Sequence, residues 1–276
     1  MYCTADEVYE STTLDSSVVP TAAVNNFIKA AERDVDRFTF TTYWAVNNNA
    51  QTVDSATNNT ISVSGTPYTA DALIGMHVWV YSGTGIGQMI KITDNTEDTI
   101  TVEENWGTNP VNGDLFRVIY TATDPRFNDV EDGNGEDWFF TPDYPIQILN
   151  SVTIDSVSVS TSNIYQYKKM GKLVLKSSAE VTTWRDTYPQ QVELDYHYGV
   201  YPLPEEVKRY VVVLASLKTL AAQMGGTYAT PSTYSLPEGS VTVGQAYVNI
   251  RGTFDVLMKE HALLREQILI RYTKVV

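Results

Sequence analysis

The sequence predicts an α+β fold: a core of three to four helices with a β region of its own, interrupted by an inserted small all-β barrel or sandwich module. Three observations predict it. Apolar residues recur at helical spacing over 24–38, β-branched and aromatic runs alternate with turn signals over 61–120, and helical spacing returns behind Pro204. On this reading residues 1–45 and 121–276 form the helical/β core domain, and 46–120 form the inserted β module with its linker.

The elements follow in order. Thr4 and Glu7 stand at capping-box spacing and open a short helix through Tyr9. Pro20 then suits the first turn of a longer helix. In it Val24, Phe27, Ile28, Ala31, Val35 and Phe38 form one apolar stripe, with Lys29, Glu32, Arg33, Asp36 and Arg37 off it. Residues 46–60 are rich in Asn, Thr and Ser and read as a linker. Short strands are expected at Ile61–Val63, His77–Tyr81, Met89–Ile92, Thr99–Val102 and Leu115–Tyr120. An acidic, Gly-punctuated stretch at 124–143 precedes further strands at Gln147–Val159 (in two pieces), Ile164–Tyr167, Leu173–Leu175 and Val192–Tyr198. A second long helix carries Val207, Val211, Leu214, Leu217, Ala221 and Met224 on one stripe and stops at Gly225-Gly226. After a loop at 227–244, a last helix runs from about Thr253 towards Tyr272.

Composition narrows the function. The fractions of hydrophobic and charged residues, 43% and 19%, are those of a folded chain rather than a disordered one. No apolar run approaches the ~20 residues a membrane-spanning helix needs, and the first residues lack the basic and apolar regions of a secretory signal. Cys3 is the only cysteine, so no intrachain disulfide is expected. The net charge is −14, and it is uneven: residues 1–200 hold 11 basic against 27 acidic side chains, while 201–276 hold 8 against 6. A surface of that sign is poorly suited to gripping nucleic acid.

Four chemical candidates stand out. Gly83, Gly85 and Gly87 follow an apolar run, as in a phosphate-binding loop, but Gln88 stands where a third fingerprint glycine belongs and Met89-Ile-Lys-Ile-Thr93 alternates as a strand. A hairpin connection is expected instead. Asp129, Glu131, Asp132, Asn134 and Glu136 offer weak cation ligands; counted from Asp132, however, the sixth and twelfth positions are Asp137 and Asp143, not the Gly and Glu of a calcium loop. No metal site is therefore expected. His77, His197 and His261 lack zinc spacing, and no G-x-S-x-G elbow is present. Paired carboxylates for hydrolysis need only meet in space, so a hydrolase stays an alternative.

A set of segments carries a family resemblance. Met1-Tyr-x-Thr-x-Asp-Glu-Val8 leads into Ala30-Ala-Glu-Arg-Asp-Val-Asp-Arg-Phe-Thr39; a strand starts at Tyr144-Pro-Ile146, another ends Tyr196-His-Tyr-Gly199, and a helix begins Pro204-x-x-Val-Lys208. This order resembles the head-to-tail connector, or adaptor, proteins of tailed phages over roughly 1–43 and 140–276. The module at 61–120 and the loop at 227–244 are enlarged relative to compact members. The resemblance implies a non-enzymatic ring of usually twelve copies, without cofactor, in the virion neck and assembled in the host cytoplasm. Its partners would be itself, the portal protein and a stopper or tail-completion protein, with DNA passing through an acidic channel and no membrane involved. The final stretch puts apolar residues on every side of a terminal helix. Ile268, Leu269, Ile270, Arg271, Tyr272, Val275 and Val276 are therefore expected at a portal or subunit interface, or packed on their own domain. The alternative is another neck, tail-completion or baseplate protein whose β module contacts a neighbour or a glycan through Trp79, Tyr81 and Trp106.

Overall fold

The computed structural model describes residues 1–47, 50–185, 188–224, 233–236, 239–242 and 244–272. The chain forms two compact units, Met1–Phe40 with Leu203–Val276, and Thr41–Pro202.

The first unit is helical. The Thr4 hydroxyl accepts the Glu7 N–H at 3.3 Å and the Glu7 carboxylate accepts the Thr4 N–H at 2.8 Å, opening α1 (Ala5–Thr12) as a reciprocal cap. α2 (Thr21–Thr39) starts behind Pro20 and ends at Phe40, which is left-handed at φ 54°. Val24, Ile28, Ala31 and Val35 are fully buried, as their spacing predicts. Glu32 and Asp36 are buried beside them, because Tyr2 donates its N–H to Glu32 at 2.5 Å and its hydroxyl to Asp36 at 3.0 Å. α3 (Glu205–Met224) buries far more than one stripe, including Val212, Val213, Ala215, Ser216 and Thr219. It is the central helix, in contact with α1, α2 and the last helix, so helical amphipathicity weakens along it. Two paired antiparallel strands, Thr233–Leu236 and Gly239–Thr242, come in the sequence between α3 and that last helix, whose range is Gly244–Tyr272. It passes straight through Gly252, although a glycine inside a helix costs about 1 kcal/mol. No atom lies within 4 Å of where a Cβ would stand there. The expected Gly225-Gly226 stop lies outside the described residues.

The second unit is built from sheets. Its strands in chain order are β1 (Ala45–Val46), β2 (Gln51–Thr52), β3 (Ser55–Ala56), β4 (Thr60–Ser62), β5 (His77–Ser82), β6 (Met89–Asn95), β7 (Thr99–Val102) and β8 (Leu115–Tyr120). Then come β9 (Arg126–Glu131), β10 (Trp138–Phe140), β11 (Ile146–Ile154), β12 (Val157–Val159), β13 (Ile164–Tyr167), β14 (Lys172–Leu175) and β15 (Val192–Tyr198). The first eight make one antiparallel sheet, ordered β1-β8-β5-β6-β7-β4-β3 with β2 also on β8. Four more pair as β12-β11-β15-β9, and three as β10-β14-β13. β11 and β12 join through Asp155 and Ser156, both at positive φ, the geometry of a primed hairpin turn.

These sheets correct the fold class expected from the sequence, a helical core carrying a small inserted barrel or sandwich. The chain is mostly β, with three open antiparallel sheets of eight, four and three strands; among the described residues four α-helices occur, all outside the sheet unit, which holds two short 3-10 turns. The strands at 126–198 do not line a helical core. They enclose a core of their own in which Phe139, Val152, Leu173, Trp184, Leu194 and Tyr196 meet. The expected linker at 46–60 also contributes the end of β1 and all of β2 and β3, strands too short to show a period; β1 and β2 are held by ladders to β8, and β3 by one to β4.

Candidate functional site

The α4 helix (Gly244–Tyr272) carries the residues expected at an interface. Its inner side meets α3: Leu257 packs with Val213, Leu217 and Leu220, and Ile268 is fully buried. Arg209 grips Glu260 with two hydrogen bonds of 2.6 and 2.9 Å. Glu206 receives Arg271 at 2.5 Å and the Tyr272 hydroxyl at 3.0 Å. Leu269 and Ile270 instead point to solvent, 38% and 79% exposed. Val275 and Val276 lie outside the described residues. The helix is apolar on its outer side too: Val256, Leu263 and Ile270 fall seven residues apart, and the first two are 65% and 62% exposed.

The glycine-rich turn joins β5 to β6 in a hairpin, and Gly83, Gly85 and Gly87 all take positive φ. An anion already sits there, and it belongs to the protein. The Asp114 carboxylate accepts the Thr84 N–H at 3.0 Å and the Val111 N–H at 2.8 Å. A Cβ on Gly83 would stand 1.9 Å from that carboxylate. Gln88, at the position that breaks the nucleotide fingerprint, ties the turn to the next loop by donating to the Gly85 and Thr108 carbonyls and accepting from the Thr108 N–H.

The acidic stretch is a clasp. Gly135 N–H donates to the Trp184 carbonyl at 2.6 Å, and Trp184 N–H to the Glu136 carbonyl at 2.7 Å. Gly133 passes so close that a Cβ would overlap the Arg185 carbonyl. Trp184 is thereby held fully buried, stacked on Phe139 at 5.0 Å. Asp129 accepts the Val130 N–H and Asn134 the Glu136 N–H close by in the chain, whereas Asp132 accepts the N–H of the distant Gln190. Glu131 has its carboxyl pushed up by burial and by Asp129, Asp132 and Asp143. Among the described residues no three His, Cys, Asp or Glu side chains converge as a metal site.

One constellation had no signal in the sequence. Arg126 on β9 makes a two-pronged pair with Asp195 on β15 and reaches Glu104 at 2.9 Å. Asn150 donates to Asp195 at 2.9 Å and lies 3.2 Å from His197 Nδ1. These groups line a cleft of about 420 Å³ with Met89, Ile148 and Gln88. Strand pairing brings most of them together: His197 stands opposite Arg126 on β9, and Asn150 sits at a register shift of β11 beside β15. Val78 and Val80 enter the eight-stranded sheet's core, so His77 lies on the opposite face, and His197 likewise opposes Leu194 and Tyr196. Burial, first of all, pushes both imidazoles down to about 4, and His77 further lowers His197. Arg126 is the one cation among these groups and is shared by two carboxylates, those of Asp195 and Glu104.

The chain matches no protein-family profile and no curated protein sequence. Among the described residues no helix is long and apolar enough to cross a membrane. His261, the third histidine, belongs to the helical unit and packs against Tyr210 with its Nε2 3.2 Å from the hydroxyl.

Proposed function

We propose that this chain is a structural virion protein, a head-to-tail adaptor that forms a ring beneath the portal, joins capsid to tail and leaves a channel for DNA. One observation carries the reading. The α4 helix exposes Val256, Leu263 and Ile270, one per two turns, while its inner side is already occupied. Apolar side chains repeated every seven residues on the solvent side suit a helix that meets a neighbouring subunit. The phage-adaptor resemblance of roughly 1–43 and 140–276 supports the same role, and so does the acidic excess of residues 1–200, which favours DNA sliding past over DNA being held. The role needs no catalytic group and no cofactor. Its partners are further copies of the chain, the portal and a stopper or tail-completion protein.

The glycan-binding alternative draws little support. Trp106 is buried in the core of the eight-stranded sheet, and Trp79 packs edge-on against Trp44 and Tyr201.

Electron microscopy and native mass measurement of the purified chain, with and without a portal ring, test the proposal. Closed rings are expected, with portal association lost on deletion of 265–276 and rings dispersed by Leu263→Glu with Ile270→Glu. A strictly monomeric chain at every concentration, with no portal binding, overturns it.

A further inference from the structure

The three-stranded sheet buries one face and exposes the other. Phe139, Leu173, Leu175 and Ile164 enter the core. The register sets the outward residues in two rows across the strands, Trp138–Val174–Tyr165 and Phe140–Lys172–Tyr167. Phe140, Tyr165 and Tyr167 are 48%, 56% and 55% exposed. The Lys172 ammonium lies 5.2 Å from the Trp138 ring, and that of Lys176 lies 4.8 Å from the Tyr165 ring. Lys168 and Lys169 follow Tyr167 at the turn into β14. Residues 156–179 contain these four lysines and no Asp or Glu, in a chain of net charge −14. Among the described residues none of the four is in an ion pair, although Lys168 and Lys176 donate to the Gln147 and Ser162 carbonyls, each at 2.6 Å.

We propose that this face binds an unpaired nucleic-acid strand. Aromatic rings on an open sheet face stack bases, and lysines beside them meet the phosphates, the two components of single-strand recognition. Lysine is depleted from the cores of protein–protein interfaces, so a lysine-interleaved aromatic face suits a nucleic acid better than a protein. The chain's acidic excess does not forbid it, because at physiological salt exposed charges beyond about 8 Å are largely screened. The inference goes beyond the adaptor role, and ring formation neither requires it nor follows from it.

The test is fluorescence anisotropy of a labelled 15-residue oligothymidylate with the full chain, titrated with salt. Four lysine–phosphate contacts give a slope of log affinity on log salt of about −3. Tyr165→Ala with Tyr167→Ala should weaken binding at least ten-fold at unchanged slope, and Lys172→Gln with Lys176→Gln should halve the slope. Circular dichroism checks that these surface variants stay folded. No binding at low salt, or affinity unaltered in both double variants, overturns the proposal. So does duplex DNA binding as tightly as the single strand, or polyglutamate competing as well as the oligonucleotide; either assigns the face to charge alone.

Discussion

Arg126 pairs diagonally with Asp195 across the β9–β15 ladder, Nε to Oδ1 at 3.0 Å and Nη2 to Oδ2 at 2.9 Å. The pair is partly shielded, with side-chain exposures of 31% and 17%. Planar bidentate geometry makes it a stronger contact than a solvent-exposed ion pair.

Arg126→Ala should therefore cost about 1–3 kcal/mol in urea unfolding, since it strands a half-buried carboxylate. Arg126→Lys should recover less than half, because an ammonium cannot match both oxygens. Burial opposes the charge on Asp195, yet Arg126 and Asn150 hold its carboxyl below the usual 3.8. The pair's contribution is then complete above that value and fades as pH falls below it. Full recovery in the lysine variant would contradict the bidentate account.

Gly199 is required by its neighbours. Its φ is +131°, and an added Cβ would stand 2.6 Å from Trp44 Nε1 and 2.9 Å from the Thr42 carbonyl. Trp44 is fully buried and donates to the Tyr198 carbonyl at 2.9 Å. Gly199→Ala should lower stability by about 2–3 kcal/mol, read as a fall in Tm with altered tryptophan fluorescence. A Tm within a degree of the parent chain would refute this.

The buried histidines predict an acid-sensitive fold. His77 and His197 titrate near 4 when folded, against 6.5 when unfolded. Between those values the unfolded chain binds protons that the folded chain refuses, so stability is complete above about pH 6.5 and declines towards pH 4. The loss is at most about 3 kcal/mol per histidine. The groups around them act in both directions: Asp124 raises both, Lys91 lowers His77, and for His197 Asp195 raises while Arg126 lowers. His77→Gln with His197→Gln should flatten the stability curve between pH 4 and 6.5. An unchanged slope in that double variant would exclude them as its source.

Legibility differed between the two units. The cap of α1, the start of α2 behind Pro20 and the apolar stripe through Val24, Ile28, Ala31 and Val35 could be read directly, because each depends on neighbours within four residues. Glu32 and Asp36 could not, since their burial depends on Tyr2, some thirty residues away. The strands of the sheet unit were mostly recognisable from their β-branched and aromatic runs. Which strands share a sheet was not, and that is why the expected helical core gave way to three open sheets.

The candidate sites divide in the same manner. Residue order alone was enough to reject a nucleotide loop at Gly83–Gly87, because Gln88 and the strand after it are local facts. That the turn closes on Asp114, that the acidic stretch clasps Trp184, and that Lys172 reaches over the Trp138 and Phe140 rings follow from folding. Helical and strand character arise from short-range spacing that any stretch of this chain carries within itself. Partners such as Arg126 with Asp195 arise from strand pairing between residues 69 apart, and that pairing is chosen by the burial of whole sheet faces rather than by any local pattern.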